Sequence, residues 1–485
     1  MADAKGILSG LRVVDLSRML SGPYCTMMLA DHGAEVIKIE DPGGDTSRNN
    51  GPFRDDDPDH LWAGYFVSLN RSKKSVVLDL KSEAGKADLR ALIATADVLV
   101  ENYRPGVMER LGLSYETLAA INPRLVYAAI RGFGDPRSGE SPYADWPSYD
   151  VVAQAMGGLI SLTGPDAAMP TKVGPGIGDV FAGALMSFGI LAALRQAEAT
   201  GHGQFLDIAM YDAMISLCER AIYQHDFDGS VPRPEGNGHP LLAPFGVFPA
   251  NDGLVALGIV DDLFWRNLAQ VMDQGDLGAN PRFATRAARS AHAGVLNPIV
   301  AEWTARHSKA DLTRLLGGKV PFGPVNTVAD IFADPHVAAR DMIATVPHAE
   351  PELRPWKVAA NPLRFSAHPA PAPQTPARLG NQTVHDFLPE SRPIDPRHLR
   401  DAFGSFATGV TVLTVRQADG SPRGFTANSF SSVSLDPPLL LVCLAKLAQS
   451  CTTFTEADHF GVNVLGSDQQ SVSALFASRA PDKFD

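Results

Sequence analysis

Short apolar runs along the first 130 residues alternate with longer stretches whose apolar positions recur every three or four residues. The runs at 11–16, 34–40, 74–80, 97–101 and 125–131 are predicted strands. Their near-continuous Val, Ile and Leu content is that of strands covered on both faces. Helices are predicted between them, at 21–33 with Pro23 near its start and Gly33 at its close, at 81–95, and at 115–121. Strands alternating with helices predict an α/β fold with a largely parallel sheet and right-handed crossovers. The longest apolar run, 180–194, predicts a long helix. It is shorter than a membrane span and contains Ser187 and two glycines.

The pattern changes near residue 220. Residues 226–252 are rich in turn formers, including Pro232, Pro234, Gly236, Gly238, Pro240 and Pro244. A strand at 254–259 and helices at 263–272, 291–304 and 309–316 then predict a smaller α+β domain. The resulting division is 1–225 for a large domain, 226–330 for the small one and 331–388 for a return to the large one. Residues 389–396 form a linker, and 397–485 a further domain. Proline-rich 366–376 is expected to be extended. Strand patterns reappear at 410–415, 439–443 and 460–465, with Asp419-Gly420 as a turn signal.

A chain of 485 residues is too long for one ordinary core. Its 45% apolar and 20% charged content is that of a soluble globular protein. The net charge of −12 argues against general nucleic-acid binding and a basic membrane-binding surface, but not against an anionic small molecule in a locally basic cleft. Four cysteines without a Cys-x-x-Cys pair read as buried thiols in a reducing compartment, with neither a disulfide framework nor a metal site. The first residues carry no secretory apolar region, so a cytoplasmic location is expected.

Candidate chemistry centres on Val173-Gly-Pro-Gly-Ile-Gly-Asp179, directly before the long apolar run. Glycines permit tight turns and close backbone approach. Asp at a helix start is either an N-cap or a carboxylate presented to a substrate. Basic residues fall where loops leave the strand ends: Arg18, Arg71, Lys73, Lys74, Arg104 and Arg110. In an open α/β sheet ligands bind beyond the carboxyl ends of the strands, and Arg forks suit phosphate. The same residues also read as solvated surface charges. No Walker loop and no strand–Gly-x-Gly-x-x-Gly–helix unit is present, so ATP and NAD lack their usual marks.

Residues 8–388 resemble the family III CoA-transferases of the CaiB/BaiF type, the group containing formyl-CoA transferase. The resemblance runs through Leu11-Arg-Val-Val-Asp-Leu-Ser17, Ser21-Gly-Pro23, Gly33-Ala-Glu-Val-Ile-Lys-Ile-Glu40 and Leu69-Asn-Arg-Ser-Lys-Lys-Ser75. It continues through Val100-Glu-Asn-Tyr-Arg-Pro-Gly106, Val152-Ala-Gln-Ala-Met-Gly-Gly158, Gly178-Asp179 and Val320-Pro-Phe-Gly-Pro-Val-Asn326. It implies a Rossmann-like large domain with a small α+β domain, and an interlocked homodimer. It implies transfer of CoA from an acyl-CoA to a free carboxylic acid, through an anhydride and then a CoA thioester on Asp179. Gly176 and Gly178 would support the oxyanion, and the loop carrying Gly236 and Gly238 would act as a lid. Coenzyme A would be held by Ser21, Lys38, Ser72, Lys73, Lys74, Asn102, Arg104 and Arg110. Leu20 replaces the Gln of formyl-CoA enzymes, and Asp41 stands where a nucleotide-contacting Arg can occur, which argues against formyl-CoA/oxalate specificity. The α-methylacyl-CoA racemases share the fold, but their catalytic His aligns at Tyr149, a poor base for that proton. Transfer is therefore expected over racemisation.

Residues 397–485 resemble the start of a flavin reductase-like, FMN-binding split barrel. The resemblance runs through Phe403-Gly-Ser-Phe-Ala-Thr-Gly-Val-Thr411, Gly424-Phe-Thr-Ala-Asn-Ser-Phe-Ser-Ser-Val-Ser-Leu-Asp-Pro-Pro438 and Phe460-Gly-Val-Asn-Val-Leu465. It implies FMN held by Thr426, Asn428, Ser431 and Ser432, and opens a second reading as a flavin-dependent reductase or flavin-binding protein. The pattern stops before the usual Gly-Asp-His segment. A partial β split barrel is expected, unable to reduce flavin alone or completed by another chain.

Overall fold

The computed structural model describes residues 6–388, 410–417, 419–427, 430–435, 438–478, 480 and 483–484. It divides into two compact units, Met1–Pro389 and Glu390–Asp485. The first is built on six strands: β1 (Arg12–Asp15), β2 (Glu35–Glu40), β3 (Lys74–Val77), β4 (Val98–Glu101), β5 (Val126–Arg131) and β6 (Phe205–Ala209). They form one sheet in the order β3-β2-β1-β4-β5-β6, every pair parallel. The order reverses between β1 and β4, where such sheets open a crevice.

Alternation along each strand explains the two cores. Val13, Val36, Val98, Val126 and Ala128 point to a cluster with Cys25, Leu29, Ala182, Met186 and Ile190. Their neighbours Val14, Ile37, Leu99, Tyr127 and Ala129 point to the opposite cluster with Leu89, Leu92, Leu113 and Leu118. Both faces are dry, so β4 and β5 are buried at every position.

Strand β6 has no continuous apolar run, because Asp207 interrupts it. Its pairing with β5, from Tyr127 opposite Phe205 to Arg131 opposite Ala209, makes it a strand. Gly203 admits it: a Cβ there would lie 2.0 Å from the Leu125 carbonyl oxygen. The long helix spans Ile177–Thr200, ends at left-handed Gly201, and packs on the helix Ser21–Ala30. At Gly183 a Cβ would lie 2.5 Å from the Ser21 carbonyl, so glycine sets this approach. By length and composition this helix is apolar enough to cross a membrane; Ala182, Met186, Ile190 and Ala193 bury one of its faces in the sheet core.

Strands β7 (Phe245–Ala250), β8 (Gly253–Gly258) and β9 (Phe322–Pro324) form an antiparallel sheet. Its core joins Val255 and Leu257 to Trp265, Leu296, Val300, Leu312 and Leu316. The helices Asp262–Val271, Ala293–Thr304 and Lys309–Leu316 supply these side chains. A hairpin of β10 (Ile343–Val346) and β11 (Trp356–Ala359) packs Trp356 against Trp62.

The second unit contains β12 (Thr411–Arg416), β13 (Pro422–Ala427), β14 (Phe430–Leu435), β15 (Pro438–Val442) and β16 (Gly461–Val464). They pair antiparallel, as β13-β12-β16 and β14-β15.

Candidate active site

Asp179 is the third residue of the helix Ile177–Thr200, whose N-cap position is held by Gly176. It is therefore not the cap, and its carboxylate is not consumed in tying its own first turn. The helices Ser21–Ala30 and Asp150–Met156 begin beside it. The Ser21 hydroxyl and the backbone N–H groups of Ser21 and Asp150 lie near the half-buried carboxylate and favour its charged form. Burial, and then the charge of Asp150, outweigh these donors and raise the Asp179 pKa to about 6. Tyr65, on the helix Gly64–Asn70, faces the same space. Its phenol is pushed up to about 12 by burial and then by Asp179, so it stays a hydroxyl donor at neutral pH.

The Gly-rich loop is shaped by Asp150. Gly178 N–H donates to Asp150 Oδ1 at 2.8 Å, and a Cβ on Gly178 would lie 3.1 Å from that oxygen. Gly178 was expected to support an oxyanion, but its N–H is committed to this carboxylate. A Cβ on Gly176 would meet the Leu20 side chain at 2.9 Å.

The family model for CoA-transferase family III matches residues 8–383. The chain belongs to CoA-transferase family III. It is 45% identical over 374 residues to a succinyl-CoA:mesaconate CoA-transferase of Haloarcula hispanica, covering 76% of this chain and 93% of that protein. It is 38% identical over 380 residues to a succinate–glutarate CoA-transferase of Agrobacterium fabrum, covering 76% and 94%. A crystal structure of a CaiB/BaiF family protein from Brucella suis superposes with TM-score 0.70 at 36% identity, over 79% of this chain and 98% of that one. The family model of the flavin reductase like domain matches 403–485.

In this CoA-transferase the crevice between β1 and β4 is bridged by Asn102. Its side chain accepts from Arg18 N–H at 2.8 Å and donates to the Arg18 carbonyl at 2.8 Å and to Ser21 Oγ at 3.3 Å. One amide thus ties the loop after β4 to the loop that carries Ser21 to Asp179. Arg18 pairs with Asp41 at 2.8 Å and lies over the Tyr103 ring. Arg104 and Arg110 are exposed beside this crevice loop.

Three cations expected at the ligand are turned inward. Lys38 Nζ, in a side chain 1% exposed, pairs with Asp45 at 2.8 Å and donates to the Ser17 carbonyl. Lys73, 3% exposed, contacts Asp15, Thr26, Asn70 and the Pro23 carbonyl within 3.1 Å. Arg71 makes a bidentate pair with Asp31. Their charges are spent on the protein itself, so a reading of Lys38 and Lys73 as CoA contacts is corrected to internal ties. Lys74 is exposed and pairs with Glu35 at 2.6 Å. Ser72, at φ 62°, exchanges hydrogen bonds with Gln374 and anchors the proline-rich segment.

The loop proposed as a lid is held in place. Gly236 N–H donates to the Gly164 carbonyl, Gly238 N–H to Glu235, and the Asn237 carbonyl accepts from Val247. Among the described residues no hydrogen bond joins Gly236 or Gly238 to Asp179. Tyr149 is 67% exposed and precedes the helix Asp150–Met156. In the second unit Thr426 donates to the Ser473 carbonyl at 2.7 Å, and Ser431 and Ser432 lie on β14. Asn428 lies outside the described residues.

Sequence reasoning gave no role at the site to Tyr65, Asp150 or Gln154. Asp150 and Gln154 are separated by four residues on one helix, a spacing that puts them on one face. Tyr65 carries no motif; only folding brings its helix to Asp179.

Proposed function

We propose that this enzyme moves CoA from an acyl-CoA to a free carboxylic acid through covalent intermediates on Asp179. The observation that carries the reading is a carboxylate half-buried beside Asp150, with a pKa near 6, at the edge of the sheet crevice. The carboxylate attacks the thioester carbonyl and CoA thiolate departs, leaving an acyl-aspartyl anhydride. The thiolate attacks the aspartyl carbonyl, releasing the donor acid and forming an aspartyl-CoA thioester. The acceptor carboxylate attacks that carbonyl and expels the thiolate, which then attacks the acceptor's acyl carbon. The new acyl-CoA leaves and Asp179 is regenerated.

The site favours these steps physically. Acylation removes a charge that burial and Asp150 make costly. In the second and third steps the aspartyl carbonyl is the electrophile. The Ser21 hydroxyl and the N–H groups of Ser21 and Asp150 lie near it and can stabilise the negative charge that develops on its oxygen. Arg18, Arg104 and Arg110 around the switch-point crevice suit the phosphates of CoA. The relatives named for succinyl-CoA, mesaconate and glutarate support a small dicarboxylic acid as acceptor.

An exchange screen of many acids against a few acyl-CoA donors, read by mass, tests this. Dicarboxylates of four or five carbons are expected as the best acceptors. Hydroxylamine should trap an activated carboxyl at Asp179 when acyl-CoA is present. No exchange with any pair, and no trapped protein, would overturn the reading. Racemisation is disfavoured because Tyr149 stands where a His base is required; absence of deuterium wash-in beside the thioester checks this.

The homodimer belongs to the same proposal. Leu185, Phe188 and Leu191 form an exposed row on the long helix, and Ile222, Tyr223 and Phe227 another on the helix Glu219–Asp228. Apolar area of this kind marks interfaces. For residues 397–485, the family match supports FMN binding, expected as a yellow protein with a bound-flavin absorbance band.

A further inference from the structure

Asp150 does not stand free beside Asp179. Gln154, one helical turn on and 0% exposed, donates through Nε2 to both of its oxygens, at 3.0 and 2.8 Å. The other end of the same amide, Oε1, accepts from Val173 N–H at 2.9 Å, while Nε2 also lies 3.5 Å from the Val173 carbonyl. Asp150 Oδ1 in turn receives Gly178 N–H at 2.8 Å. Both ends of the loop 173–178 are thus held by one Asp–Gln pair, and the loop leads straight into Asp179.

We propose that Gln154 is a positioning residue for transfer: by clipping Asp150 to the Gly-rich loop it fixes the place of Asp179 and the negative charge beside it. This rests on the reading of Asp179 as the acylated group. A primary amide suits the task because it donates and accepts at once, whereas an ionised carboxylate only accepts. The charged and titratable groups around the clip are Asp150, Asp179, Tyr65 from the helix Gly64–Asn70, and Lys172. The Lys172 ammonium lies 3.4 Å from the Val173 carbonyl.

The test is the pH dependence of exchange in Gln154→Glu and Gln154→Leu, with thermal melts to confirm folding. A neutral Glu at this position keeps one donor for Asp150 and one acceptor for Val173. Once ionised it repels Asp150 across a hydrogen-bond distance, and such pairs hold a shared proton to unusually high pH. The ratio of variant to wild-type kcat/KM for Gln154→Glu is therefore expected to climb about tenfold from pH 8 to pH 6. For Gln154→Leu it should be low and flat, with KM for acyl-CoA little changed. A flat Gln154→Glu ratio in folded protein would overturn the proposal. Should that variant not fold, Gln154→Leu decides: folded protein with wild-type kcat/KM counts against the clip. Asp179→Ala separates the two levels. If it still exchanges CoA, the covalent reading fails; if it is dead while Gln154→Glu tracks wild type, only the clip fails.

Discussion

A single carboxylate can be followed through both chemistry and stability. With Asp179 as the proposed nucleophile, Asp179→Ala should lower exchange at least about 1,000-fold while CoA binding by calorimetry persists. The raised pKa has a definite sign for stability. Between the unfolded value of 3.8 and the folded value of about 6, the native state binds more protons than the unfolded one, so stability falls as pH rises through that window. Asp179→Asn removes the charge and should stabilise the fold at pH 7.5 by about 1–2 kcal/mol, allowing for partial exposure. The gain in Tm should shrink at pH 5. On the proposed mechanism only the ionised form attacks, so activity runs the other way and kcat/KM should drop as pH falls through about 6. Lys73 is a contrasting residue. Burial lowers its pKa to about 8 although Asp15 opposes the shift. Lys73→Met strands the buried Asp15 and should cost about 3 kcal/mol or more in denaturant titration, with KM for acyl-CoA unchanged.

At the scale of elements, the strands and helices of the sheet were legible because both of their faces are buried. The five predicted strands and the helices on them appear within a few residues of their expected bounds. Strand β6 and the helix Asp150–Met156 were not legible, since Asp207 and the polar Asp150–Gln154 pair break the apolar period. Of the site, the Gly-rich turn and Asp179 could be read from residue types. The inward turn of Lys38 and Lys73 could not, because a basic residue after a strand reads alike whether it meets solvent, ligand or a buried carboxylate. Glycine spacing within the long helix carries a prediction of its own. Gly183→Val places side-chain atoms against the Ser21 carbonyl, which already lies 2.5 Å from an ideal Cβ. It should push the helices Ser21–Ala30 and Ile177–Thr200 apart, lowering Tm by several degrees and kcat by about tenfold or more, because Ser21 leaves Asp179.

For the whole molecule, the transferase core and the second unit are each compact. A chain ending at Pro389 should keep its exchange rate, measured with the same donor and acceptor as the full chain. The exposed rows on Ile177–Thr200 and Glu219–Asp228 should make that chain sediment as a dimer. Phe188→Asp together with Phe227→Asp should shift it toward monomer.

By itself the sequence determined the alternating α/β pattern, the covered parallel sheet and the acidic residue behind a glycine turn. These depend on local periodicity and on the steric freedom of glycine, both written in neighbouring residues. Only the tertiary structure decided which charges remain for a ligand, that Asp150 and Ser21 meet at Asp179, and that Gln154 ties the loop. Those depend on distances between segments far apart in the chain, where burial and mutual charge set what each group can do.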